Sequence, residues 1–231
     1  IGIDNLNNYY SKEIKKKRNN ILKKKKNFFF YKIDLSKKNS LDQIFKLHKV
    51  DVIIHLAGQP GVLYSFKNPK SYKINNILAT NNLCKISCKH KIKKFIFGSS
   101  SSVYGDQKKF PIIENSNKNP KNYYAKTKYK CEKIVTQYFY SKKINYQIFR
   151  FFTVYGSFGR PDMFIHKLLN SIKKNKTIYL HNRGENLRDF TYIDDVVNIL
   201  IKSINKNLKN KILNICKSKP IKNTHLIKII T

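Results

Sequence analysis

Acidic residues are scarce in this 231-residue chain: 13 Asp and Glu stand against 48 Lys and Arg, a formal charge of +35. Such an imbalance ordinarily points to nucleic acid or an anionic membrane. Arginine is scarce as well. Arg18, Arg150, Arg160, Arg183 and Arg188 are the full set, whereas readers of base edges use Arg forks beside Lys. The abundant Lys, Asn and Ile share AT-rich codons, so the charge reads as compositional drift, and no specific nucleic-acid partner is expected. The runs Lys15–Lys17 and Lys23–Lys26 read as a solvated helix face. Cysteine is limited to Cys84, Cys88, Cys131 and Cys216. None forms a CxxC pair, so neither a zinc site nor a redox motif is indicated. Cys84 and Cys88 share a helix face and read as buried thiols. No apolar run approaches the ~18 residues of a membrane span, and no signal-peptide pattern opens the chain. The expectation is a cytoplasmic protein with no membrane partner. Glycine is sparse too: eight residues, none forming a G-x-x-G-x-x-G set. The phosphate loop that a dinucleotide fold places ~20 residues before its ribose-binding acid is therefore not found.

What the chain does contain is alternation. Phe28–Ile33, Val52–Leu56, Phe95–Phe97 and Tyr146–Phe152 read as buried parallel strands. Ile1–Asp4 reads as another strand, ending in an acid. Helices are predicted over Lys12–Lys24, from an N-cap at Ser40 to Leu47, over Ser71–His90 and over Tyr123–Lys142. This order predicts a doubly wound, Rossmann-like α/β sheet with crossover helices over residues 1–152. Residues 153–231 read as a smaller mixed α/β lobe. There a turn-rich loop at Tyr155–Pro161 precedes a helix near Met163–Lys174, strands at Thr177–Leu180 and Asp189–Tyr192, a helix at Asp194–Ile204, a strand at Lys211–Ile215 and the start of a last helix.

The leading chemical candidate is Tyr124 with Lys128. A Tyr and a Lys four apart share one helix face. An ammonium there favours the phenolate and can orient a nicotinamide ribose, making the Tyr a proton shuttle. The spacing alone decides little in a Lys-rich chain with 15 Tyr, since Tyr104/Lys108, Tyr129/Lys133 and Tyr138/Lys142 fit it as well. Context singles out Tyr124. Hydroxyls crowd the strand end Gly98-Ser99-Ser100-Ser101-Ser102-Val103-Tyr104-Gly105, where open α/β sheets bind ligands. His55-Leu56-Ala57-Gly58 ends another strand in small residues that let a cofactor approach the backbone. Arg150–Gly156, Arg160–Met163 and Arg188–Asp195 follow in order. Each piece also has a bland reading: serine runs are often loops, Asp4 can be a turn residue, and Arg160 can be a loop anchor paired with Asp162.

Taken together, the strand end Asp4-Asn5-Leu6-Asn7, Ser99–Gly105, Arg150–Gly156, Arg160–Met163 and Arg188–Asp195 resemble the extended short-chain dehydrogenases that act on nucleotide sugars, most of all UDP-glucuronate 4-epimerases. The resemblance implies NAD as cofactor and a UDP-sugar as substrate, with a homodimer as the expected assembly. It implies a strand, Gly-rich loop and helix before Ile1 and a lobe that continues past Thr231. It casts Tyr124 as catalytic base with Lys128 as its partner, and Ser100 as the hydroxyl that binds the reacting group. Asp4 and Asn5 match the adenosine-ribose end, Asp34 and Leu35 the adenine edge, Leu56, Ala57 and Gly58 the cofactor-facing strand end, and Asn76 the support of the active-site helix. Ser101, Ser102, Thr153 and Arg160 fall around the sugar's C6 end, and Arg188 at the diphosphate. Leu63 stands where the family often has Arg. Dehydratases would place an Asp-Glu pair where Ser101-Ser102 stand, which argues against dehydration. A neutral-sugar 4-epimerase and a non-catalytic fragment remain the alternatives.

Overall fold

Short apolar runs separated by helix-length segments leave few ways to bury a strand except in a parallel sheet covered by crossover helices. The computed structural model, which describes residues 1–206, 208 and 210–231, has this architecture. The chain runs β1 (Gly2–Asp4), α1 (Lys12–Lys23), β2 (Phe30–Lys32), α2 (Lys38–Leu47), β3 (Val52–His55), α3 (Val62–Lys67), α4 (Pro69–Tyr72), α5 (Ala79–Lys89), β4 (Lys94–Ser100) and α6 (Tyr123–Ser141). It continues through β5 (Asn145–Phe151), β6 (Thr153–Tyr155), α7 (Phe164–Lys173), β7 (Leu187–Arg188), β8 (Phe190–Tyr192), α8 (Ile193–Asn205), β9 (Lys211–Ile215), β10 (Ile221–Lys222) and α9 (Asn223–Ile230).

Two compact units emerge. The first comprises Ile1–Asn5, Tyr31–Phe151 and Ile201–Ile215. Its centre is a four-stranded parallel sheet of order β3-β4-β5-β9. Phe95, Phe97 and Ile148 from the sheet pack with Leu83 and Cys84 of α5 and Cys131, Val135 and Phe139 of α6. The rings of Phe95 and Phe139 lie 4.7 Å apart. Cys84 is buried, as read from the sequence, but Cys88 is only partly so, and Cys131, for which no such reading was made, is buried; burial raises all three thiols above their ordinary range. At the far end of β4 the buried Lys94 ammonium donates to the carbonyls of Ser203, Ile204 and Lys206 at 2.6–2.8 Å. It satisfies orphan acceptors and the negative dipole at the C-terminus of α8.

The second unit comprises Leu6–Phe30, Phe152–Leu200 and Cys216–Thr231. It contains the parallel pair β6-β8 and the antiparallel pair β7-β10. Asp189 organises it. This buried carboxylate accepts from the backbone N–H groups of Lys217 at 2.7 Å and Lys219 at 3.0 Å, while its own carbonyl accepts from Thr153 N–H at 3.0 Å.

Three local expectations need correction. Ser40 is not a cap: α2 begins at Lys38, because an Asx turn starts it early. The Asp34 carboxylate takes both the N–H and the hydroxyl of Ser36, and Lys37 N–H bonds Asp34 O. The segment Thr177–Leu180 is not a strand. No ladder partner runs beside it among the described residues, and Tyr179 is 90% exposed. Lys16, Lys17 and Lys23–Lys26 are solvated, but Lys15 is buried. Its ammonium exchanges water for Asn7 O and Oδ1, at 3.2 and 2.8 Å, and for the face of Tyr10. Among the described residues no helix is long and apolar enough to cross a membrane, and no group of His, Cys, Asp or Glu could hold a metal ion.

Candidate active site

The site in the first unit is built on the C-terminal ends of β3 and β4 and the first turns of α6. The Asn122 side chain caps α6 by accepting from Ala125 N–H at 2.9 Å, which fixes where the helix begins and hence which face Tyr124 and Lys128 share. Lys128 is 7% exposed. Its ammonium donates to Gly98 O of β4 at 2.7 Å and lies 4.9 Å from the centroid of the Phe97 ring. An ammonium has three donors, so this protein carbonyl leaves capacity for a ligand. Tyr124 is half-buried, edge-on to Tyr72 with centroids 6.2 Å apart. Tyr72 is anchored in turn by its hydroxyl, which donates to Pro60 O and Gly61 O.

The three rival Tyr–Lys pairs separate cleanly. Tyr104 is fully buried and its hydroxyl is committed to Arg150 and Asn214. Tyr138 donates to Asn81. Tyr129 carries Lys133 over its ring. Lys108, Lys133 and Lys142 are all exposed. Tyr124/Lys128 is the one pair of the four whose Lys is buried at a strand end.

Ser100 closes β4 and caps the short 3₁₀ turn Ser101–Tyr104. Its oxygen accepts from Ser102 N–H at 3.2 Å and from the Ser102 hydroxyl at 2.9 Å. With its lone pairs engaged, the Ser100 hydroxyl is set as a donor. Ser101 and Ser102 are half-buried in that turn.

Asn76 is 2% exposed. It sits in a π-helical stretch, Lys73–Leu78, between α4 and α5, an irregularity that frequently marks functional sites. Its side chain accepts from Gln59 N–H at 2.6 Å and donates to Gln59 O at 3.2 Å and Thr127 Oγ1 at 3.0 Å. It therefore ties the β3 loop to α6, one residue before Lys128.

The β3 end leaves room for a cofactor. Leu56 and Ala57 are exposed, and a Cβ on Gly58 would fall 2.8 Å from Asn76 Oδ1 and 3.8 Å from Lys128 Nζ. Asp4 is exposed at the end of β1. Asn5 hydrogen-bonds Asp34, bringing the predicted ribose and adenine residues together. Burial works against the Asp34 charge, but the hydrogen bonds from Ser36 and Asn5 hold its carboxyl below the usual range. Leu35 is buried in the core. These features fit a dinucleotide lying over the strand ends.

Thr153, Arg160 and Arg188 belong to the second unit. Thr153 is half-buried in β6. Arg160 closes on Asp162, Nε to Oδ1 at 2.9 Å and Nη2 to Oδ2 at 3.0 Å, so the loop-anchor pairing is present. Arg188 is exposed on β7, and the adjacent Asp189 turns away to bind the 217–219 backbone.

Sequence reasoning missed the polar network behind Ser100. Glu132 and Arg150, 3% and 1% exposed, form a bidentate pair at 2.9 and 2.7 Å. Ser99 Oγ donates to Glu132 at 2.5 Å, and Arg150 also reaches Tyr104 Oη and Glu114 O. Burial opposes the Arg150 charge, while Glu132 and Tyr104 more than offset it and raise its pKa. The signal was available: Tyr124, Lys128 and Glu132 recur every four residues along one face of α6. His55, at the end of β3, is buried, shares a hydrogen bond with Thr80 at 3.0 Å, and is lowered to about 3 by burial and by Lys128. It is neutral and not an acid–base group at working pH.

A Rossmann-like fold with a Tyr–Lys pair on a capped helix beside strand-end hydroxyls defines a nucleotide-binding enzyme of the extended short-chain dehydrogenase class. The sequence pattern of the NAD dependent epimerase/dehydratase family matches residues 1–216, and the chain belongs to that family, whose cofactor is NAD. It is 38% identical over 232 residues to the UDP-glucuronate 4-epimerase of Thermodesulfobacterium geofontis, covering 100% of this chain and 71% of that protein. The structure of UDP-glucuronic acid 4-epimerase from Bacillus cereus with UDP-glucuronic acid and NAD superposes with a TM-score of 0.92 at 30% identity, covering 99% of this chain and 74% of that one. UDP-glucose 4-epimerase from Thermotoga maritima with UDP-glucose gives 0.88 at 26% identity, covering 99% and 72%. The chain spans 71% of the length of one curated relative and 46% of another, a UDP-glucuronate 4-epimerase of Arabidopsis thaliana.

Proposed function

We propose that this chain carries the NAD-dependent epimerisation of a UDP-sugar at C4, with UDP-glucuronate as substrate and UDP-galacturonate as product. The observation that carries the reading is the buried Lys128 ammonium, on the same face of α6 as Tyr124, donating to Gly98 O two residues before Ser100 at the end of β4. In this reading residues 1–152 bind the cofactor and residues 153–231 the sugar, and the enzyme works as a cytoplasmic homodimer.

Bound NAD⁺ supplies a two-electron acceptor that returns the same electrons to C4. The chain's own residues do the rest. Asp4 and Asn5 hold the adenosine ribose, Asp34 and Leu35 border the adenine, and Leu56, Ala57 and Gly58 leave space at the strand end. Tyr124, as phenolate, takes the proton from the C4 hydroxyl and gives it back to the inverted product. Lys128 stabilises that phenolate and orients the nicotinamide ribose. Ser100 donates to the C4 oxygen while it is a carbonyl, a charge-stabilising role. Asn76 holds the β3 loop against α6. Arg188 meets the diphosphate, where a guanidinium fork suits phosphate oxygens.

Oxidising C4 of a glucuronate creates a β-keto acid, which loses CO₂ when its carboxylate bond aligns with the carbonyl π system. Arg160 and Thr153 hold the carboxylate so that its bond to C5 stays out of that alignment, and Ser101 and Ser102 are read as further substrate-binding hydroxyls. The test is Tyr124→Phe against Tyr129→Phe in the NAD-loaded protein. Loss of a general base costs ~10²–10⁴-fold in rate; it is expected for Tyr124→Phe, with NAD binding retained, and not for Tyr129→Phe. The reverse pattern would refute the assignment.

A further inference from the structure

The loop after β6 is held unusually firmly for a segment with so little core. Arg18 Nη2 donates to Gly159 O at 2.9 Å while Nη1 donates to Tyr10 Oη at 2.9 Å. Gly159 N–H closes on Gly156 O at 3.2 Å. A Cβ at Gly159 would meet His166 Nε2 at 2.1 Å, so the loop lies against α7. Tyr9, from the segment before α1, donates its hydroxyl to Asp162 Oδ2 at 3.1 Å. The Asp162 carboxylate thus collects three donors, two from Arg160 and one from Tyr9. The Arg160–Asp162 pair is about one third exposed on each side, and Arg160 Nη2 also approaches Met163 Sδ at 3.3 Å.

Side-on, through Nε and Nη2, a guanidinium matches a carboxylate with two parallel hydrogen bonds. In Arg160 that edge is taken by a carboxylate of the protein's own loop. An incoming acid must exchange with Asp162 or bind beside it, against a like charge. A neutral sugar faces neither cost.

We propose that Asp162 is a specificity-determining residue: it occupies Arg160 as an internal stand-in for a substrate carboxylate and so limits the preference for acidic over neutral sugars. The inference rests on the reading that Arg160 meets the sugar's C6 carboxylate. Tyr9 strengthens the hold by sharing Oδ2. Burial disfavours the Asp162 charge, yet Arg160 and Tyr9 keep its carboxyl below the usual range, so the stand-in remains an anion through neutral pH. The device gives Arg160 a compensated charge and a fixed place in the loop when no substrate is bound, at the expense of selectivity.

The test measures dissociation constants of UDP-glucuronate and UDP-glucose by calorimetry on the NAD-loaded protein, with UDP alone as reference. Asp162→Asn removes the competing charge and keeps an acceptor for Arg160. The ratio of affinities, acid over neutral, is expected to rise roughly two- to fivefold, the size of one partly screened charge contact, while UDP binding is unchanged. Tyr9→Phe leaves Asp162 in place with a weaker hold and is expected to raise the ratio less, which keeps the proposal testable if Asp162→Asn folds poorly. A ratio that is unchanged or falls in both variants, while Arg160→Leu lowers it, would overturn the role of Asp162 alone. A ratio insensitive to Arg160→Leu would instead remove the carboxylate reading of Arg160, and this proposal with it.

Discussion

The β4–α6 wall of the first unit and the 156–163 loop of the second hold their polar residues in opposite ways. Along β4 and α6 the charged groups are buried and answered by partners distant in sequence: Arg150 by Glu132, and Lys128 by Gly98 O. Each buried charge there has a designated counterpart, as a low-dielectric setting demands. In the loop, Arg160 is answered by Asp162 two residues away and both remain partly open to solvent. The first arrangement fixes atoms for chemistry. The second leaves a paired cation partly open to solvent.

The comparison is broken most severely at Glu132. Glu132→Ala leaves Arg150 buried without its carboxylate, and breaking such a pair costs about 3–5 kcal/mol. Arg160→Ala, in the loop, is expected to cost under about 1 kcal/mol of stability, as exposed pairs do. Urea denaturation of both variants decides this; equal losses would mean the two regions do not differ as described.

The next effect in size concerns pH. His55 in the folded chain is lowered to about 3, against an unfolded value near the ordinary ~6.5. The unfolded state therefore binds more protons below that upper value. The stability is complete above pH ~6.5 and is lost as pH falls toward the folded value. At pH 5 the loss from this one group is about 2 kcal/mol. His55→Gln is expected to lower stability at pH 7.5 and to flatten the decline between pH 6.5 and 4.5. A variant that loses stability with acid as steeply as the parent would contradict the buried neutral imidazole.

A smaller effect is expected at the β3 strand end. Gly58→Ala places a methyl 2.8 Å from Asn76 Oδ1, so either Asn76 gives way or the cofactor does. Weaker NAD binding by fluorescence titration is the expected result, with a modest fall in melting temperature, since the buried Asn76 and its hydrogen bonds must shift. Unaltered NAD affinity would move the cofactor away from this strand end. Least of all should follow from the exposed Lys23–Lys26. Replacing them with Gln is expected to change stability by no more than ~0.5 kcal/mol.

How much of this was legible in the sequence follows from the same contrast. The strands of the central sheet and α1, α6, α7 and α8 announce themselves by apolar runs and helix-length spacing, and β9 was read with its observed limits. Ser100, Tyr124 and Lys128 were singled out through motif order and Asn76 through the resemblance; the structure has Ser100 closing β4, Lys128 bonded to Gly98 O of β4 and Asn76 bonded to the loop after β3. The interior of the network was not found, because Glu132 in a Lys-rich helix looks like one more surface charge until its partner on β5 is known. Two-residue strands such as β7 and β10 carry no periodicity to read. The start of α2 was misplaced because an Asp turn at Asp34–Ser36, six residues upstream of the serine that looked like a cap, precedes it. Lys15 was missed for a related reason: composition says that lysines are solvated, and only tertiary structure supplies Asn7 and the Tyr10 ring.

The central claim is that the buried Lys128 and its helix-face partner Tyr124 invert C4 of a UDP-hexuronate. The most direct measurement follows UDP-glucuronate by proton NMR with the NAD-loaded protein, alongside UDP-glucose and UDP-N-acetylglucosamine. The account predicts conversion of the gluco- to the galacto-configured acid toward equilibrium, with slower turnover of the neutral sugars and no net formation of NADH. Inversion of the neutral sugars alone, or release of a 4-keto-6-deoxy product, would contradict it.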